Sequence, residues 1–156
     1  MRASAIIASV CGIGYVRIAP GTVMSAAAMP LAAWIALYGG GVALLAASLA
    51  AFAIGVAACG EHMRATGRQD PSECVIDELA GQWLACAVAV FAAPVSLTAF
   101  ILAFVLFRLF DIWKPWPVSW ADRQIGGGLG VMADDMIAGL MAGLLVAAAR
   151  LYMVPF

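Results

Sequence analysis

Residues 42–59 read VALLAASLAAFAIGVAAC, a stretch without a single charge that passes through Gly60 into Glu61. A membrane-spanning helix needs about 20 mostly apolar residues, or somewhat fewer where the flanks can snorkel. Val42–Cys59 meets that requirement, and four neighbouring stretches meet it too. Val23–Tyr38 precedes it and closes on Gly39-Gly40-Gly41. Leu79–Ala93 ends at Pro94, Val95–Phe110 ends at Asp111, and Met136–Val154 comes last. In the last stretch, Gly139 and Gly143 stand four apart, a small-residue spacing suited to close helix packing. The expected fold is all-α: one domain over residues 1–156, a polytopic membrane bundle of about five spans.

Composition supports this. The chain has 156 residues, of which 65% are hydrophobic and 11% charged, against roughly 45–50% and 25% in soluble domains. Mean hydropathy is +1.03. A soluble globule of this size has too little interior to hide so much apolar surface. Eight Lys and Arg against nine Asp and Glu give a net charge of -1, which excludes the basic stripe that nucleic-acid binding needs. Cys11, Cys59, Cys74 and Cys86 show no CxxC spacing, and Cys59 and Cys86 read as small buried hydrophobes. His62 is the lone histidine, so a zinc centre is not expected. Arg2 followed by Ala3–Val16 faintly resembles a signal peptide, but another apolar stretch follows. Residues 1–16 therefore read as mature sequence, a buried or interfacial helix.

The charges are one-sided. The acids fall in two loops, at 60–78 and 111–135, and counting spans puts both loops on one side with Arg2 and Arg17. Of all Asp, Glu, Lys and Arg residues, Arg150 alone approaches the other side. By the positive-inside rule the charged face and the N-terminus are cytoplasmic, so the chemistry belongs at that face.

Four constellations there could carry it. In the first, Gly126-Gly127-Gly128-Leu129-Gly130 leads to Asp134-Asp135 before an apolar helix. Glycine-rich turns at helix starts can present N–H groups to an anion. Adjacent carboxylates offer oxygen ligands to a hard cation, which would let a phosphate approach them. The plainer reading makes Asp134 a helix cap and Asp135 a first-turn acid. In the second, Asp77-Glu78 repeats the acidic pair at another helix mouth, while Asp70 and Glu73 read as ordinary loop charge. The third runs from Arg108 through Asp111 to Lys114. If the helix persists to Trp113, the three share a face by i, i+3 spacing, with a carboxylate between two cations and Pro115 and Pro117 ending the helix. Trp113, Trp116 and Trp120 suit headgroup depth. The fourth is Arg17–Ser25, where Thr22 is placed to cap the first span or to contact phosphate.

The run FRLFDIWKPWPVSWADRQIGGGLGVMADDMIAG (Phe107–Gly139) resembles the signature of the phosphatidylglycerophosphatase A family, bacterial inner-membrane lipid phosphatases. IAPGTVMS (Ile18–Ser25) and VIDELAGQW (Val75–Trp83) resemble its other two blocks, in order. The resemblance implies Mg²⁺-dependent hydrolysis of phosphatidylglycerophosphate to phosphatidylglycerol and phosphate, with the lipid tails left in the bilayer. It marks Asp77, Glu78, Asp111, Asp134 and Asp135 as functional acids and Lys114 as the accompanying cation. On this expectation Asp77, Glu78, Asp134 and Asp135 hold the metal. Lys114 and Arg108 neutralise developing charge, Thr22, Gly127 and Gly128 contact substrate, and Asp111 is a ligand, a base or a nucleophile. Two rivals fare worse. The longer acidic motif of lipid alcohol phosphotransferases is missing from the chain. A cation transporter would need polar groups through the depth of spans that are here Ala, Leu and Val.

Overall fold

The computed structural model describes residues 2–69 and 71–152, leaving Asp70 and the end of the expected last span outside the described residues. The elements are α1 (Ala3–Ala8), a 3₁₀ turn (Ile13–Tyr15), α2 (Pro20–Thr66), α3 (Ile76–Ala92), α4 (Leu97–Trp113), α5 (Val118–Gln124) and α6 (Gly127–Tyr152). Among the described residues there is no strand.

α2 consists of two legs. Gly40 has φ 72° and ψ −175°, outside helical space, a conformation open to glycine because it has no Cβ. The contacts of α3 show that the chain reverses there. Gly21 lies against Glu78, and Trp83 Nε1 donates to the Ala28 carbonyl at 3.1 Å, so the first leg runs parallel to α3. Ser48 Oγ donates to the Ala80 carbonyl at 2.8 Å, and Gly55 lies against Ile76, so the second leg runs antiparallel. The glycine triplet thus separates two helices, as expected, although the second continues past Cys59 to Thr66.

The interior is built from small side chains. Ala28, Ala32, Ala80, Ala85, Ala99, Ala103, Ala138 and Ala142 are almost wholly buried. Phe107, Leu44 and Met132 are buried among them, but many large apolar side chains point outward: Leu97, Ile101, Val105 and Leu109 form an exposed i, i+4 stripe along α4, and Leu140, Leu144 and Leu145 are exposed on α6. This inverts the soluble pattern and matches membrane helix packing, where backbones approach through small residues and lipid solvates the rest. Gly139 packs on the Gly81 carbonyl and Gly143 on the Ala85 carbonyl, so α3 and α6 run parallel with backbones touching. The expected small-residue seam is present. By length and composition α2 and α6 could each cross a membrane, while α3 and α4 have 17 residues each.

Several local expectations are corrected. The N-cap of α2 is Ala19, in the left-handed region with no side-chain cap bond, and Pro20 takes the first helical position, where its missing N–H costs nothing. Thr22 lies inside the first turn and does not cap the helix. α6 begins at Gly127, so Asp134 and Asp135 lie about two turns inside the helix rather than at its start, and the cap reading fails. The loop expected at 111–135 contains α5. Residues 2–16 form a short helix and turn beside the α2–α3 loop, with Ala8 fully buried and its carbonyl accepting from the Val75 N–H at 2.9 Å.

Candidate active site

Asp77 and Glu78 occupy the first turn of α3, three to four residues before Gly81. Asp135 stands four residues before Gly139 on α6. Because Gly81 and Gly139 meet backbone to backbone, one turn toward the charged end the acids of the two helices must face each other across a narrow gap. One oxygen from each of Asp77, Glu78 and Asp135 lies within 4.8 Å of the others. Asp111, in the last turn of α4, lines the same cavity as Asp135.

Cations frame this cluster unevenly. Arg108 Nη1 binds Asp111 Oδ2 at 2.6 Å, lies 3.9 Å from Glu78 Oε1, and donates to Ser25 Oγ at 3.5 Å. The expected helix to Trp113 is observed, but Asp111 does not lie between two cations. Lys114, in left-handed conformation at the C-cap, points away to Asp134 Oδ2 at 2.8 Å and to Asp122 on α5. Partial burial on its own would lower the Lys114 ammonium. The hydrogen bonds from Asp122 and Asp134 outweigh burial and push it up, so Lys114 is a cation at neutral pH. Asp134, expected among the metal ligands, is therefore placed against Lys114 and outside the three-acid cluster.

These residues line one cavity of about 890 Å³. Its walls include Gly21, Arg64, Arg68, Asp77, Glu78, Arg108, Asp111, Lys114, Asp134 and Asp135, together with Gly127 and Gly128 at the start of α6. Gly127, at φ 68°, needs the freedom of glycine to begin the helix, whereas Gly128 is pressed on the Val56 carbonyl and Gly60 and serves helix packing. Thr22 is half-buried and is not part of the lining. Asp122 was not singled out by the sequence. It reaches Lys114 because the Pro115–Pro117 turn folds α5 back, and no helical spacing signals that. Glu73 is not free loop charge either, since it accepts from Arg68 at 3.0 Å and pairs with His62 Nε2 at 3.0 Å.

The cluster fits a hard divalent cation. Glu78 Oε2 and Asp135 Oδ2 are buried without a hydrogen-bond partner among the described residues, an arrangement that costs free energy unless a cation faces them. Carboxylate oxygens on two rigid helices are the donors that Mg²⁺ takes, usually one or two together with phosphate.

Comparison with known proteins points to a phosphatase family. A family model described as Phosphatidylglycerophosphatase A matches residues 6–150. The chain is 37% identical over 136 residues to phosphatidylglycerophosphatase A of Escherichia coli, covering 86% of this chain and 76% of that protein. It is 34% identical over 144 residues to phosphatidylglycerophosphatase A of Haemophilus influenzae, covering 91% and 85%. A Bacteroides thetaiotaomicron protein with the provisional name phosphatidylinositol-3-phosphatase is 36% identical over 147 residues, covering 89% and 88%. No solved structure matches the chain. With its three sequence blocks gathered around one acidic cavity and nearly its whole length matched, the chain belongs to the phosphatidylglycerophosphatase A family.

Proposed function

We propose that this chain hydrolyses the terminal phosphomonoester of phosphatidylglycerophosphate, releasing phosphatidylglycerol and inorganic phosphate, with Mg²⁺ bound by Asp77, Glu78 and Asp135. The observation that carries the reading is the convergence of these three carboxylates with Asp111, Arg108 and Lys114 on one cavity. When bound, Mg²⁺ would offset the charge of the phosphate oxygens and polarise the phosphorus they surround.

The chain's own residues supply the rest. Arg108 holds Asp111 Oδ2, which leaves the other oxygen to take a proton from the attacking water. That proton then passes to the glycerol oxygen as the phosphorus–oxygen bond breaks. Lys114 has three N–H donors, and two are committed to Asp122 and Asp134. The third is left for a phosphate oxygen, where it stabilises charge gained in the transition state. Asp134 fixes the ammonium, and the start of α6 at Gly127 and Gly128 borders the same space.

We read the two legs of α2 with α3, α4 and α6 as five membrane crossings. The carboxylate end then faces the cytoplasm and the inner membrane holds the bundle. The apolar outward stripes of α4 and α6 support this, as do the exposed Trp113, Trp116 and Trp120 at the charged end. α3 and α4 would each rise about 26 Å, short of the ~30 Å core, which bilayer thinning accommodates at modest cost. The substrate's phosphates would meet the cavity at headgroup level while its tails stay among lipids.

The test is phosphate release from phosphatidylglycerophosphate by detergent-purified protein, with Mg²⁺ and then with EDTA, beside Asp111→Asn. Release that needs Mg²⁺ and falls steeply in Asp111→Asn is the expected result. A phosphoryl group trapped on Asp111 after acid quench would replace the base role with a nucleophile. The name of the Bacteroides relative favours a second reading, a different lipid phosphomonoester. Faster release from phosphatidylinositol 3-phosphate than from phosphatidylglycerophosphate would establish it.

A further inference from the structure

Gly21 occupies the second position of α2, after Pro20, and is buried in the cavity wall. A Cβ built on it would overlap Glu78 Oε1, lie 2.8 Å from Glu78 Cδ and lie 3.2 Å from Arg108 Nη1. The atoms nearest to that position all belong to side chains. The helix does not require glycine there, since the residues with positive φ are elsewhere and alanine is favoured over glycine in a helix interior by about 1 kcal/mol.

Most other buried glycines of the bundle meet main chain or apolar side chains, as Gly55 meets Met132 and Ile76. Gly81, Gly128, Gly130 and Gly139 each face a backbone carbonyl, so they serve close packing of main chain on main chain. The nearest neighbours of Gly21 are instead the ends of two long, functional side chains. Glu78 Oε1 moreover rests against the N-terminal end of α2, where the helix dipole favours a carboxylate, so the bare Cα opens a seat that is electrostatically suited to it.

We propose that Gly21 is a positioning residue. By lacking a side chain it seats the Glu78 carboxylate and the Arg108 guanidinium at the start of α2, and thereby sets the affinity of the acidic cluster for its divalent cation. The inference rests on the reading of that cluster given above.

The experiment is Mn²⁺ binding to detergent-purified protein, followed by electron paramagnetic resonance of the free ion. Thermal unfolding of the metal-free protein is measured alongside. For Gly21→Ala the expected results are a Kd for Mn²⁺ raised about tenfold or more and an unfolding temperature unchanged or higher. Glu78→Asp withdraws the carboxylate by one methylene. Combined with it, Gly21→Ala should cost no further Mn²⁺ affinity beyond Glu78→Asp alone, the non-additivity expected of two groups that act through one contact. Wild-type affinity in Gly21→Ala would overturn the proposal. So would equal losses in both backgrounds, or a variant that fails to fold, because the atoms nearest the added methyl are movable side-chain ends. A wild-type protein that binds no Mn²⁺ would instead overturn the reading of the cluster itself.

Discussion

The two ends of this bundle solve opposite problems with the same kinds of groups. At the end formed by Gly39–Gly41 and residues 93–96, Arg150 is the one charged residue among the described residues, and it serves the main chain. Its Nη1 donates to the carbonyls of Ala89 at 3.3 Å and Ala93 at 2.9 Å, and its Nη2 donates to that of Pro94 at 2.6 Å. A cation closing the C-terminus of α3 satisfies carbonyls that helix geometry leaves open. At the other end Asp77, Glu78 and Asp135 crowd together, and two of their buried oxygens lack partners. One end is arranged for stability. The other carries uncompensated negative charge that raises the free energy of the fold, and on the function proposed above a bound cation would offset that charge and let a phosphate approach.

If that contrast is right, mutations at the two ends should separate activity from stability, while the seam joining them should not. The largest effect is expected at the seam. Gly139→Val would drive a branched side chain into the Gly81 carbonyl, with no room for relaxation because both partners are helix backbone. Folded protein in detergent should be lost, and activity with it, as read by size-exclusion recovery and phosphate release. Next comes Asp135→Asn, which removes a buried charge from the cluster. Phosphate release should fall by about 10²-fold or more, since loss even of a supporting group around a metal costs 10–100-fold. The thermal midpoint of the metal-free protein should hold or rise, because like-charge repulsion is relieved. A fall in both would erase the contrast.

Arg150→Ala is the mirror test and a smaller one. The three carbonyls at the end of α3 lose their donor, at a cost of about 1–2 kcal/mol. The midpoint should drop by a few degrees, while phosphate release measured well below it stays at the wild-type rate. Lost activity with an unchanged midpoint would mean that the far end also reaches the site.

The sequence made the bundle legible because its signals are local. Charge-free runs, the Gly39–Gly41 break and the four-residue spacing of Gly139 and Gly143 depend on nothing outside their own helices. The one-sided distribution of charge was legible for the same reason, and it foretold a single polar end. What stayed hidden depends on folding back. Lys114 was read with Arg108 and Asp111 because all three share a helix face. Its position at the C-cap, in left-handed conformation, turns it instead toward Asp122 and Asp134. Asp134 was read as an equal of Asp135, yet neighbours on a helix point about 100° apart, and Asp135 alone faces the α3 acids. Gly21 lies within the Ile18–Ser25 block, but its meaning lies in Glu78, which is remote in sequence and adjacent in space.

Glu73 offers the finest test, since it belongs to the charged end yet is arranged like the far one. Burial alone would raise its carboxyl, but the hydrogen bond from His62, its own backbone N–H and the nearby Arg68 guanidinium together hold it below the usual carboxylate range. A carboxyl held low in the folded state contributes stability above its unfolded value, and that contribution is lost as pH falls through the folded value. Glu73→Gln should therefore unfold at a slightly lower temperature than wild type at neutral pH, by less than about 1 kcal/mol because Arg68 is half exposed. The gap should close as the pH falls through and below the ordinary carboxylate range, with phosphate release at neutral pH unchanged. The measurement is a pair of melting curves over a pH series. A gap that persists in acid would mean that the side chain acts there by packing alone, and only a gap that closes marks Glu73 as a charge whose pairing stabilises the fold.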